Sequence, residues 1–160
     1  MTGDTLQATR AALIKQIEQL REEVQTVSSG LEDSLFWTKP VEDGNSVGHL
    51  VLHLTGNLNH WAGARLGNTG YVRDREREFS ERQPPSKEAA LSALRDAVSV
   101  YSQVVRTMPA GRMTEPHPDA SMGTILEAFF KMLTHFAVHR GQMSYIVKML
   151  KKANQGENIP

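Results

Sequence analysis

Apolar residues recur at alternating steps of three and four along four separate stretches of the chain, and no stretch sustains the period of two that a strand requires. In the first, from about Thr5 to Ser28, Leu13, Ile17, Leu20, Val24 and Val27 fall on one helical face. Ser28-Ser29-Gly30 is a natural stop, because Gly30 can take the left-handed conformation of a C-terminal cap. Pro40 and the turn-forming Asp43-Gly44-Asn45 interrupt the pattern. Ser46 then suits the N-cap of a second helix that reaches about Leu66 and ends at Gly67-Asn68. Residues 67–85 are charge-dense: Arg73, Asp74, Arg75, Glu76, Arg77 and Glu78 follow one another, and Pro84-Pro85 stops any helix. Ser86 caps a third helix through Met108, with a seam of Leu91, Leu94, Val98, Tyr101, Val105 and Met108. After Pro109-Ala110-Gly111 and a Pro-rich loop, Asp119 or Ser121 starts a fourth helix to about Lys152, and the polar tail 153–160 is expected to fray. Four helices of this length, with short to medium connections, predict an all-α four-helix bundle forming one domain over residues 1–160.

The fourth helix breaks its own rule. Its inner seam reads Ile125, Ala128, Met132, His135, His139, Gln142, Ile146 and Met149, and the three polar positions are consecutive. Two His at i and i+4 leave one helical face a turn apart and can share one metal ion. Burying two imidazoles and an amide is costly unless they are satisfied, and a metal satisfies both rings at once. A hydrogen-bonded core histidine is the competing reading, and two ligands need a third from another helix.

The second helix offers candidates. His49, His53 and His60, with Asn57, make one narrow polar stripe on a helix that is otherwise apolar almost all round. Periodicity does not decide whether the stripe faces water or lines an interior site. His49 and His53 are themselves an i, i+4 pair and therefore a rival site. His53, mid-stripe beside Asn57, is the better placed; His49 and His60 read as surface or rim residues, and His117 in its Pro-flanked loop as a residue without a metal role.

Composition narrows the chemistry. The chain has no cysteine, which excludes disulfides, thiolate ligands and a cysteine nucleophile, so any transition-metal site must use nitrogen and oxygen, chiefly His. Lys and Arg number 18, as do Asp and Glu, and this balance gives no electrostatic reason to expect nucleic acid or an anionic membrane. The N-terminus MTGDTLQATR lacks the apolar run of a signal peptide, and no stretch approaches the ~18 apolar residues of a membrane span. A cytoplasmic protein is the expectation.

The strings HLVLHLTGNLNHW in the second helix and HFAVHRGQMSYI in the fourth resemble the DinB/YfiT-like family, over nearly the whole chain. The segment YVRDREREF is similar to a bacterial subgroup of that family without an assigned function. The resemblance implies a four-helix bundle, usually a homodimer, with a zinc- or nickel-like ion on three His. Carried onto this chain, the ligands are His53, in His53-Leu54-Thr55-Gly56-Asn57, together with His135 and His139. Some relatives are transferases or isomerases that use a low-molecular-weight thiol such as bacillithiol, mycothiol or glutathione.

Three neutral imidazoles would leave such an ion its double positive charge and an open position. Two activities are compatible with that: a thiol-dependent transferase, whose thiol must be a small molecule because the chain has no Cys, or a hydrolase acting on a small-molecule substrate. A non-catalytic bundle with a structural metal is the alternative. Gln142 and Asn57, each one turn past a ligand, are the catalytic candidates, able to orient substrate or to fix an imidazole. Glu78 and Asp74 read as solvated loop acids. Arg73, Arg75 and Arg77 would bind an anion or pair with neighbouring acids, and Arg140 points away from the seam. Val51, Leu52, Leu58 and Ala62 extend the apolar surface of the second helix beyond one interface, which predicts a homodimer.

Overall fold

In the computed structural model, which describes residues 3–81 and 83–154, the predicted starts of the second and third helices are built as their sequence requires. Ser46 Oγ accepts from the His49 N–H at 3.1 Å, and His49 Nδ1 lies 3.4 Å from the Ser46 N–H, a capping box with His in the usual Glu or Gln place. Ser86 Oγ accepts from the Ala89 N–H at 3.2 Å. The long helices are α1 (Gly3–Ser29), α3 (Val47–Leu58), α6 (Lys87–Thr107) and α7 (Ile125–Asn154). Short helices α2 (Asp33–Trp37), α4 (Arg65–Gly67) and α5 (Arg77–Ser80) lie in the connections. One π-helical stretch, Asn59–Ala64, joins α3 to α4, and Asn68 closes the run in the left-handed conformation (φ 52°). No strand occurs among the described residues. Arg82 and the tail residues 155–160, for which fraying was expected, lie outside the described residues.

The start of α7 differs from the reading of the sequence. Asp119 caps only a 3-10 turn, Ala120–Met122, accepting from the Ser121 N–H at 2.9 Å. The helix proper follows Gly123, whose φ of 77° ends the turn. Its cap is the pair Thr124 and Glu127: Thr124 Oγ1 accepts from the Glu127 N–H at 3.2 Å, and Glu127 Oε2 accepts from the Thr124 N–H at 2.6 Å.

Helix α1 packs on α6 and α7, and α3 packs on the same two. The consecutive long helices α1 and α3 therefore face each other across a diagonal, as do α6 and α7. Tyr101, Phe36, Phe129 and Phe136 are the bulkiest fully buried side chains, and the Tyr101 hydroxyl donates to the Phe129 carbonyl at 3.2 Å. Each such apolar side chain contributes about 1.5–3 kcal/mol when buried. The bundle thus has a core of its own, independent of any ion.

Two expectations about faces change. Val51, Leu58 and Ala62 are buried within the chain and Leu52 is half-buried, so most of the apolar surplus of the second helix is used internally. The α7 core line passes through Phe129, Phe136, Met143 and Leu150, all buried, together with the predicted Ile125, Ala128, Met132 and Ile146. His135 and His139 are accordingly half-buried on the rim of that face, and Gln142 is exposed.

Candidate metal centre

Helices α3 and α7 pass each other antiparallel: Leu50 shares a cavity with Ile146, His53 meets His139 and His135, and Asn57 shares a cavity with Met132. That crossing brings the three sequence-predicted ligands together. His53 Nε2 lies 2.9 Å from His135 Nε2, and the His139 ring centroid is 4.9 Å from that of His53 and 4.4 Å from that of His135. One ligand-capable nitrogen from each ring lies within 4.8 Å of the others, the one such group of three or more among the described residues. Two nitrogens on one tetrahedral zinc, each at about 2.0–2.1 Å, are roughly 3.3 Å apart, so His53 and His135 need only part by about 0.4 Å to admit an ion.

The far side of each ring determines which nitrogen is available. His53 Nδ1–H donates to Glu78 Oε2 at 2.8 Å. Arg73 grips the same carboxylate with both arms of its guanidinium, Nε to Oε1 at 2.7 Å and Nη2 to Oε2 at 2.8 Å. His139 Nδ1–H donates to Gln142 Oε1 at 2.7 Å. Both bonds leave Nε2 carrying its lone pair toward the shared point, the arrangement that orients metal-bound imidazoles. Gly56 is required for this: a Cβ there would collide with the Glu78 carboxylate, which lies against the α3 backbone.

Burial pushes the His135 pKa down to about 4, with the neighbouring His139, His53, Arg73 and Arg75 adding to the effect. Burial also lowers His139, partly offset by its bond to Gln142. Both rings are thus neutral near pH 7, the form that binds a metal. At Glu78 burial is the strongest influence and favours the neutral acid, but the bonds from His53 and Arg73 together outweigh it and hold the pKa below the ordinary carboxylate value.

The remaining sequence candidates take other places. His49 is buried rather than at the surface, because its Nδ1 closes the Ser46 cap, and it is outside the cluster. His60 is half-buried with its ring on Trp61 at 4.6 Å, and His117 accepts from the Asp119 N–H at 3.0 Å. Arg140 pairs with Glu23 of α1 at 2.7 Å. In the charged loop Asp74 accepts from the Arg77 N–H at 3.1 Å, Arg75 lies over the Phe79 ring, and Arg77 pairs with Glu81. Glu78, read as a solvated acid, is instead buried against His53. Asn57 makes no hydrogen bond to a ligand imidazole; it is buried and lines a small cavity beside His135. On the other side of the ligands a second cavity, about 480 Å³, is bordered by Val41, Leu50, Gln142 and Tyr145.

Comparison with known proteins agrees with this fold. The family model described as mycothiol-S-transferase matches residues 12–149. No curated protein matches the sequence significantly. Among solved structures, YfiT from Bacillus subtilis, described as a probable metal-dependent hydrolase with an unusual four-helix bundle topology, is similar with a TM-score of 0.69 and 16% identity. The match covers 99% of this chain and 91% of that one. At that identity it speaks for the fold, and with the family match it bears out the resemblance to DinB/YfiT-like proteins. No helix among the described residues is long and apolar enough to cross a membrane.

Proposed function

The chain belongs to the mycothiol-S-transferase family, and from that premise we propose that it is a metal-dependent transferase that uses an external low-molecular-weight thiol, with zinc or nickel held by His53, His135 and His139. One observation carries the reading: three imidazoles converge, two of them fixed through Nδ1, and no carboxylate among the described residues joins them as a fourth ligand. A closed four-ligand set is the mark of a structural site, and an open position that of a catalytic one. A divalent ion there supplies Lewis acidity and makes a thiol or water that binds it more acidic.

The residues of this chain favour the thiol over water. Hydrolysis profits from a general base beside the ion, and the adjacent carboxylate, Glu78, has both oxygens engaged by His53 and Arg73. A thiol, with an ordinary pKa of about 8.5, needs far less help to ionise. With no Cys in the chain, that thiol has to enter from solution. His53, His135 and His139 hold the ion, Glu78 and Gln142 keep two rings in the ligating tautomer, and Arg73 keeps Glu78 in place.

The test is spectroscopic. Cobalt(II)-substituted protein is titrated with glutathione, mycothiol and bacillithiol. A sulfur-to-cobalt charge-transfer band that saturates with one of them, and is missing in His139→Ala, is expected. Stoichiometric cobalt with no such band for any thiol refutes the transferase reading.

A further inference from the structure

Between Lys131 and Lys148 the exposed residues of α7 are Thr134, Ala137, Val138, Gly141, Gln142 and Tyr145, none of them charged, and Arg140 is turned to Glu23 of α1. Phe130 continues this face, and Phe130, Val138 and Tyr145 are 50%, 59% and 66% exposed. At about 100° per residue, Phe130, Thr134, Ala137, Val138, Gly141 and Tyr145 lie within about 50° of one line along the helix. A contiguous apolar strip of this kind marks a contact surface.

The strip is its own complement. A two-fold axis midway between Ala137 and Val138 sets α7 antiparallel to the α7 of a second copy, and each residue then meets the one equally far from that midpoint. Phe130 meets the partner's Tyr145, Thr134 the partner's Gly141, and Ala137 the partner's Val138. One turn further out Glu127 meets the partner's Lys148, so the charged pair at each end has opposite signs. A Cβ at Gly141 would touch no atom of its own chain, which leaves room there for the other helix. An unrelated partner or a lipid surface requires no such matching about a midpoint.

The same face borders the cavity of about 480 Å³ beside the metal centre. Gly141, Gln142 and Tyr145 line it from α7, Val41 from the loop before α3, and Leu50 and Ile146 at its back. Gln142 is the residue that fixes His139. Val41 and Tyr145 leave the rim apolar and open to water, at 54% and 66% exposure. The residues that meet Gly141 and Tyr145 are the partner's Thr134 and the partner's Phe130. We infer that a second copy of this chain closes this cavity, with the ring of Phe130 of the partner subunit lying across the mouth between Tyr145 and Val41. Each chain covers the cavity of the other, so neither site is complete in the monomer. The inference goes beyond the proposed transfer and needs no ion.

The chain has no Cys, so introduced thiols report one position each. The full chain is used after chelation, so that failure to hold metal, which defeats the proposed function, leaves this result readable. Light scattering should give about twice 17.8 kDa. Thr134→Cys mixed with Gly141→Cys should form a disulfide-linked dimer on a non-reducing gel. Neither variant alone should, because two copies of one such position are about 10 Å apart along the pair, beyond the ~7 Å between Cα atoms that a disulfide spans. A short bis-maleimide should join Val41→Cys chains to Phe130→Cys chains between subunits. Val138→Lys in both chains should abolish both links and leave the circular dichroism spectrum unchanged, since Val138 is exposed in the single chain. A monomer, whether or not it binds phosphatidylcholine vesicles, overturns the inference, as does a dimer that links like positions or fails to link Val41→Cys to Phe130→Cys.

Discussion

Replacing Glu78 by Gln keeps the volume of a buried side chain and removes its charge. Glu78 accepts from His53 and twice from Arg73. The amide has one acceptor oxygen and one NH2, so a donor must face a donor, either at His53 Nδ1 or at the guanidinium. Leaving such a buried donor unsatisfied costs about 1–3 kcal/mol. At roughly 2–4 °C per kcal/mol for a chain of this size, the melting temperature of chelated protein should fall by about 2–12 °C. Metal affinity should fall about 10–100-fold, the usual effect of removing the group that orients a ligand imidazole. The pH dependence has a definite sign. A carboxylate whose folded pKa is depressed contributes stability that is present above its unfolded value, near 4.3, and is lost as pH falls through the lower folded value. Acid should therefore destabilise the parent chain more than Glu78→Gln. The assays are competitive zinc titration and melting curves followed by circular dichroism from neutral pH to pH 3. Glu78→Gln protein with the parent's zinc affinity would refute the claim that Glu78 orients His53.

Gly56→Ala should reproduce part of this loss without touching a polar group, because its Cβ displaces the Glu78 carboxylate; zinc titration beside Glu78→Gln checks it. His135→Ala and His139→Ala should each lose stoichiometric metal yet keep most helical signal, since removing one ligand costs roughly 1–3 kcal/mol per polar group left unpaired; elemental analysis and circular dichroism read the two effects, and loss of most helix on chelation would make the metal structural. In chelated protein the depressed pKa of His135 means that the unfolded chain binds more protons from about pH 6.5 down to about 4, so melting temperature should fall with pH in that window and fall less in His135→Asn. The inferred homodimer joins the outward faces of α7, where Phe130, Val138 and Tyr145 stay exposed at helical spacing; light scattering should give twice the chain mass, and Val138→Lys should give the monomer.

Much of this was legible in the chain. Ser46 and Ser86 were readable as caps because a hydroxyl precedes each apolar pattern, and every seam residue named on the third helix is buried. The His pair on α7 was legible because i, i+4 spacing fixes a shared face. Its depth was not, since apolar residues on two neighbouring tracks both satisfy steps of three and four, and packing selects the track through Phe136 and Met143. Glu78 was hidden in a run of alternating charge, where nothing periodic marks one acid as buried; Gly56, a glycine inside an apolar helix, was the available signal of a close approach. His49 shows the opposite case, a histidine with metal-like spacing that serves as a helix cap. The start of α7 was missed because Asp119 and Ser121 precede Thr124 and Glu127, and the turn at Gly123 gives the later pair the cap.

The split of the candidate ligands, one on α3 and two a turn apart on α7, would make a bound ion a gauge of alignment between two antiparallel rods. If α7 slid by one turn, about 5.4 Å, one of the paired histidines would take its neighbour's place opposite His53 and the second position would pass to whichever residue follows, Lys131 in one direction and Met143 in the other. Neither of these replaces an imidazole under ordinary conditions. Only one alignment therefore presents three nitrogens, and on the proposed metal-binding reading a chain that has closed with its rods out of step would be distinguishable, before any other assay, by its failure to hold the ion.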